Sequence, residues 1–249
     1  MAKIIRKPSA LKSDYLKIKK AVNKTMFSAF ICVITAVLSS IIMQNNSLFN
    51  FGLILTALSV VGFLICIIII ISKQNELAIK KQGVLGEDNA ADLLCRRLSD
   101  DYTVFQNLVV TVGGKSSELD LVVVGKSGVF VIEAKNRNGK IVGSFSKEKW
   151  TQHKIGYGGG KYSAEFYSPV KQVSTHIFRL AAFLRANGIG VYIRGAVYFS
   201  NPEAEVTVSG KEENIPVFTN EKDLIRYIKS NDENLSKDTM SAISDFFIK

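Results

Sequence analysis

Two short apolar runs, Leu119 to Val124 and Val129 to Ala134, flank Gly125-Lys126-Ser127-Gly128 and carry charged residues at their outer ends: Glu118 and Asp120 on the first, Glu133 and Lys135 on the second. Run, loop of about four residues, run is the pattern of a β-hairpin. If Val124 pairs with Val129, the same register carried outward sets Asp120 opposite Glu133 and Glu118 opposite Lys135. Directly opposed residues share a sheet face, with Cβ atoms about 4.5–5.5 Å apart. Two carboxylates so placed repel one another, and a divalent cation between them removes that cost. Oxygen donors with room for water suit Mg2+ or Mn2+. Lys135 follows Glu133 by two and shares its face, where an ammonium can neutralise a phosphate or orient an attacking water. The ordinary alternative is a solvated strand face of mixed charge. Against it, Val129-Phe130-Val131-Ile132 is apolar on both faces, as in a central strand covered on both sides.

The elements that would position these groups are legible as mixed α and β. Glu87, Ala91, Leu94 and Leu98 fall on one helical face, so Glu87 should point into the protein; the alternative is a first-turn acid favoured by the helix dipole. Tyr102 to Val112, Lys140 to Phe145, Tyr192 to Ser200 and Val217-Phe218 read as strands. Ser168-Pro169 is an N-cap followed by proline at the first helical position. The helix it opens runs to about Asn187, with Val173, Ile177, Leu180 and Leu184 inward and Gly188 ending it. Gln172 lies on its first turn, where a solvent-facing glutamine is the ordinary alternative, and His176 follows four residues later on the same face, where it could meet phosphate, although a structural histidine is the more common case. Helices near 221–229 and 234–247 complete the chain. Gly156-Tyr157-Gly158-Gly159-Gly160 lacks the phosphate-loop pattern and reads as a mobile loop. His153, beside Trp150, carries less still. Lys135, Arg137, Lys140, Lys147, Lys149, Lys154 and Lys161 form a basic run that either tracks a phosphate backbone or is a solvated face.

Met26 to Met43 and Leu48 to Ile71 contain no charge, and each approaches the roughly 20 apolar residues that a bilayer-spanning helix needs. Residues 26–72 therefore read as a transmembrane hairpin. The net charge of +10 is uneven: eight basic residues oppose Asp14 alone before residue 26, whereas 24 basic face 21 acidic residues from Lys73 onward. A basic excess beside the membrane points to topology and anionic headgroups rather than nucleic acid. Positive-inside logic puts both termini and the main domain in the cytoplasm, with the uncharged loop 44–50 outside. Three cysteines without a framework or metal-ligand spacing fit a reducing compartment.

The carboxylate pattern is more specific than its geometry. Asp120 followed by Glu133-Ala134-Lys135 resembles the D…(D/E)xK core of the PD-(D/E)xK nucleases. Gly83-Val84-Leu85-Gly86-Glu87 is similar to the GxxGE opening of their nuclease-related (NERD) branch, Ser168-Pro169-Val170-Lys171-Gln172 to its (N/S)PxxQ helix start, and Ala196-Val197-Tyr198-Phe199 to its late strand. The resemblance implies a restriction-endonuclease-like α/β core, a mixed sheet flanked by helices. It also implies an active site of Glu87, Asp120, Glu133, Lys135 and Gln172, with Asp120, Glu133 and Glu87 holding Mg2+ or Mn2+. The expected organisation is a basic arm at 1–25, the hairpin at 26–72, a linker at 73–82, the nuclease-like domain at 83–205 and a C-terminal strand and helices at 206–249. The expected function is metal-dependent hydrolysis of DNA, less readily RNA, by a membrane-anchored domain. The rival is an inactive nucleic-acid-binding or scaffold module at the membrane, with self-association through the hairpin as a further expectation.

Overall fold

A computed structural model describes residues 1–155, 159–210, 214–230 and 233–248. The chain divides into two compact units, Ala10–Gln82 and the combination of Met1–Ser9 with Gly83–Lys249.

In the first unit, helix α1 (Ala10–Ile42) and the early part of helix α2 (Phe49–Arg97) are joined through a 3-10 turn at Asn46–Leu48. Both helices are long and apolar enough to cross a membrane, and only 11% and 6% of their most apolar windows are buried. Core helices of a soluble protein bury such surface; here Phe27, Phe30, Leu58 and Ile68 are exposed. Between the helices the polar contacts are hydroxyl pairs, Thr35 to Ser59 at 2.8 Å and Ser39 to Thr56 at 2.6 Å, the kind of pair that holds helices together in an apolar medium. The segment expected to be a linker, 73–82, is helical: α2 continues through it without a break. The segment contains neither proline nor glycine, and most of its residues are good helix formers.

The second unit is built on a six-stranded mixed sheet in the order β1-β2-β3-β4-β8-β10. Its strands are β1 (Lys3–Arg6), β2 (Thr103–Val112), β3 (Lys115–Gly125), β4 (Gly128–Lys135), β8 (Ile193–Phe199) and β10 (Val217–Phe218). The basic arm expected at 1–25 is thus two things. Its first residues form an edge strand parallel to β2, and the rest begins α1. Arg6 is not a free charge, since it binds Asp92 and Gln106. A strand of four residues carries too little periodicity to be read in advance.

Helix α3 (Pro169–Ala186) and helix α5 (Lys237–Ile248) cover one face of this sheet through Leu180, Leu184, Ile243 and Phe247 against Val122, Val129 and Val131. The end of α2 and helix α4 (Glu221–Lys229) cover the other, through Leu94, Leu98, Leu224 and Ile228 against Leu121, Val123, Phe130 and Ile132. The expected sheet flanked by helices is observed.

A second sheet, ordered β7-β6-β5-β9, contains β5 (Gly139–Ser144), β6 (Lys149–Ile155), β7 (Lys161–Tyr167) and β9 (Ala204–Ser209). It packs on α3 and β8 around Trp150, Ile141, Val173 and Phe199. β6, β7 and β9 were not expected. β7 is exposed along almost its whole length, so its sequence lacks the alternation that marks a half-buried strand. Of the glycine-rich segment 156–160, residues 156–158 lie outside the described residues.

Candidate active site

The hairpin has the expected register: Val124 pairs with Val129, and the ladder continues to Leu121 with Ile132. The turn is tighter than expected, with Gly125 pairing Gly128 across Lys126 and Ser127. Beyond Leu121 the pattern changes. The Ala134 amide donates to Asp120 Oδ2 at 3.1 Å, so a side chain takes over where main-chain pairing ends. On the other side of β3, pairing with β2 skips the same position, running Gln106 to Leu121 and then Leu108 to Leu119. The residue between, Asn107, is buried with φ 58°. Asparagine tolerates this left-handed conformation better than most residues. Asp120 therefore sits in a local opening of the sheet. Asn107 was missed from sequence; an asparagine within an otherwise strand-like run was the available signal.

Strand alternation puts Asp120, Glu133 and Lys135 on the face covered by α3. Val122 and Val131, which share that alternation, lie in the α3-side core, while Leu121 and Ile132 lie in the opposite one. Glu133 is 1% exposed. Its Oε1 accepts from Lys135 Nζ at 2.5 Å, and the same ammonium donates to Gln172 Oε1 at 3.2 Å. Gln172 is brought there by the start of α3. The Ser168 hydroxyl accepts from the Lys171 amide, and Pro169 opens the helix. Gly195 of β8 lets that helix come close, because a Cβ there would meet Val173 Cγ1 at 2.3 Å.

Glu87 reaches this end of the sheet from α2. Gly86, immediately before it, sits against Asn136, the residue after Lys135; a Cβ on Gly86 would lie 2.4 Å from that of Asn136. Because α2 begins at Phe49, Glu87 is far from any first turn, and the helix-dipole account of it fails. Burial, then the charges of Asp120 and Glu118, push its pKa up to about 8. Asp120 is also held well above the usual carboxylate range, by burial and by the facing Glu133. Burial opposes the charge on Lys135, but Glu133 and Asp120 outweigh it and its pKa is raised. His176, the histidine ranked low from sequence, is buried beside this group, with Nε2 3.6 Å from Glu133 Oε2. Burial, then Arg179 and Lys135, lower its pKa to about 4, leaving it neutral at pH 7. All five residues implied by the resemblance therefore meet, contact by contact or through their fields, at one end of β4.

The donor set fits a hard divalent cation. Asp120 and Glu133 face each other, and burial followed by the Glu133 charge disfavours a second negative charge on Asp120 when no cation is near. The buried Glu133 Oε2 has no hydrogen-bond partner among the described residues. Among those residues, however, no three His, Cys, Asp or Glu side chains stand together as a ready-made cage. Coordination would be completed by water and substrate oxygens, which is usual for Mg2+.

The basic run does not form one stripe. Register places Lys140, Lys149 and Lys161 on the same face as His153, and Lys154 on the other. Arg137 is spent on Gln152 and on the ring of Phe166, and Lys149 on Glu165.

The family model for the nuclease-related domain (NERD) matches residues 82–200, the stretch that carries these side chains. Over 99 residues the chain is 33% identical to an uncharacterized protein of Bacillus anthracis, a match covering 39% of this chain and 44% of that one. The chain thus spans less than half the length of the curated relative it matches. No solved structure matches it.

Proposed function

We propose that this protein hydrolyses phosphodiester bonds in nucleic acid, DNA in the first instance, with a Mg2+- or Mn2+-dependent PD-(D/E)xK-type site carried on a membrane hairpin. The observation that carries the reading is the Asp120–Glu133–Lys135–Gln172 group, fully buried at Glu133 and half-buried at the other three, assembled at the end of a central strand where a structural role would favour apolar side chains.

Asp120 and Glu133, with Glu87 beside them, would hold the ion. Bound there, it would polarise the phosphate and stabilise the leaving oxygen. Lys135 contributes a fixed positive charge. Glu133 keeps the ammonium charged, and the Gln172 carbonyl fixes its direction, so that it can meet a phosphate oxygen or an attacking water without reorganising. Glu87 holds a proton at neutral pH while no cation is near, so it joins the ion only by releasing that proton.

Membrane anchoring rests on the two apolar helices and their exposed surface, and the cytoplasmic placement on the excess of basic residues near α1. The test of activity is cleavage of labelled duplex and single-stranded DNA, and of RNA, by the full chain in detergent with Mg2+, Mn2+ or EDTA. Cleavage that requires the metal and falls by roughly 10²-fold or more in Lys135→Ala supports the proposal. Tight DNA retention without cleavage in either metal would favour the scaffold reading instead.

A further inference from the structure

The hydrolytic account uses the oxygen atoms of the site and leaves one buried group unexplained. His176 is 7% exposed, and neither of its ring nitrogens has a hydrogen-bond partner among the described residues. Facing it at 3.6 Å is Glu133 Oε2, equally buried and equally without a hydrogen bond. A buried polar atom without a partner costs about 1–3 kcal/mol. Here a donor-capable nitrogen and a carboxylate oxygen face each other across a gap slightly too wide for a hydrogen bond.

The gap has the right size for an ion. Two donors bound to one cation at about 2.1 Å stand about 3.0–3.6 Å apart for angles between about 90° and 120°. The other oxygen of Glu133 is already engaged by Lys135 at 2.5 Å, so Oε2 is the oxygen left for the ion, and it is the one that faces His176. α3 fixes the imidazole one turn beyond Gln172, on the face that sets Gln172 on Lys135. With its proton on Nδ1, the ring presents the Nε2 lone pair to the gap.

We infer that His176 Nε2 is a nitrogen ligand of the divalent cation held by Glu133, so that the site prefers a cation that accepts imidazole together with carboxylate, such as Mn2+, over Mg2+. Imidazole favours later divalent metals, whereas Mg2+ strongly prefers oxygen and retains its water. The inference rests on the metal-site reading above, but it is separable from it.

The test is pulsed electron paramagnetic resonance on the full chain in detergent, loaded with Mn2+. The chain has two histidines, so the source of any nitrogen signal can be assigned with His176→Gln and His153→Gln. Wild type and His153→Gln should show an imidazole nitrogen coupled to the Mn2+, and His176→Gln should lose it. Competition should show Mn2+ binding weakened about tenfold or more in His176→Gln, with Mg2+ binding nearly unchanged. The wild-type spectrum needs no variant, so a folding defect in His176→Gln cannot mask the answer. If Mn2+ binds through Glu133, as shown by its loss in Glu133→Gln, but carries no nitrogen, or carries that of His153, this inference is overturned and an oxygen-only site stands. If wild type binds no Mn2+, both readings fall.

Discussion

At the scale of single residues, the site is a balance of charges that the metal-free protein must manage with protons. Glu87 has a folded pKa of about 8 against an ordinary value of 4.5, so between those values the folded state holds a proton that the unfolded state has lost. Stability then falls as pH rises through that window. His176 has the opposite sign: at about 4 against 6.5, the unfolded state binds the extra proton and stability rises with pH. The two oppose each other up to pH 6.5, and above it Glu87 acts without that opposition. Metal-free protein should therefore lose stability between pH 6.5 and 8, by up to about 2 kcal/mol, with Asp120 adding in the same direction. Denaturant titrations across that range should show the slope in wild type and a flatter one in Glu87→Gln. An equal slope in the variant would place the proton elsewhere. Much of this scale was legible beforehand, because carboxylates bounding a strand apolar on both faces need a reason to be there. His176 was legible only as a weaker candidate on the Gln172 face, and Asn107 only as an asparagine in a strand-like run. Burial of a histidine and a left-handed asparagine depend on neighbours distant in sequence, and neither leaves a periodic mark.

At the scale of elements, two close approaches assemble the site: α2 on the end of β4 at Gly86, and α3 on β8 at Gly195. Gly86→Ala sets two effects against each other. Alanine is about 1 kcal/mol better than glycine inside a helix, but its Cβ would fall 2.4 Å from the Cβ of Asn136, an atom fixed to the backbone. Overpacking of this kind typically costs about 1–3 kcal/mol, so the variant should be less stable and should displace Glu87. Equilibrium unfolding checks the sign, and a gain in stability would mean that the helix does not sit so close. The hairpin register and the limits of α3 could be read from sequence because alternation, the Ser-Pro cap and Gly188 are local signals. The strands β1, β6, β7 and β9 could not, being short or exposed on one side; nor could the continuous helix at 73–82, whose polar composition resembles that of a linker.

At the scale of the whole molecule, the segments that precede and follow the hairpin in sequence belong to one folded unit. Met1–Ser9 precedes α1 yet belongs to the sheet that follows α2, paired with β2 and fixed by Arg6 to Asp92 and by the Ala2 amide to the carbonyls of Cys95 and Leu98. If both helices cross a bilayer, one folded unit cannot be divided between its sides. Reporters at residue 1 and residue 249 should therefore report the same side, the cytoplasm by the charge rule. A reporter at residue 249 active only outside the cytosol would contradict this. The sheet also bears on any soluble fragment: one that starts at residue 73 lacks β1 and leaves the β2 edge bare.

The central claim is that Asp120 and Glu133 face each other to hold a metal rather than to build a structural ion pair with Lys135. Thermal melts of the full chain in EDTA, Mg2+ and Mn2+, with and without a short DNA duplex, separate the two most directly. A metal that binds only the folded state raises the melting temperature. The account predicts that rise in wild type and little of it in Asp120→Asn or Glu133→Gln. It also predicts that metal-free Asp120→Asn melts no lower than wild type, because repulsion is relieved while the amide oxygen can still accept from Ala134. A wild type indifferent to both metals even with DNA present, together with an Asp120→Asn that melts lower, would contradict it.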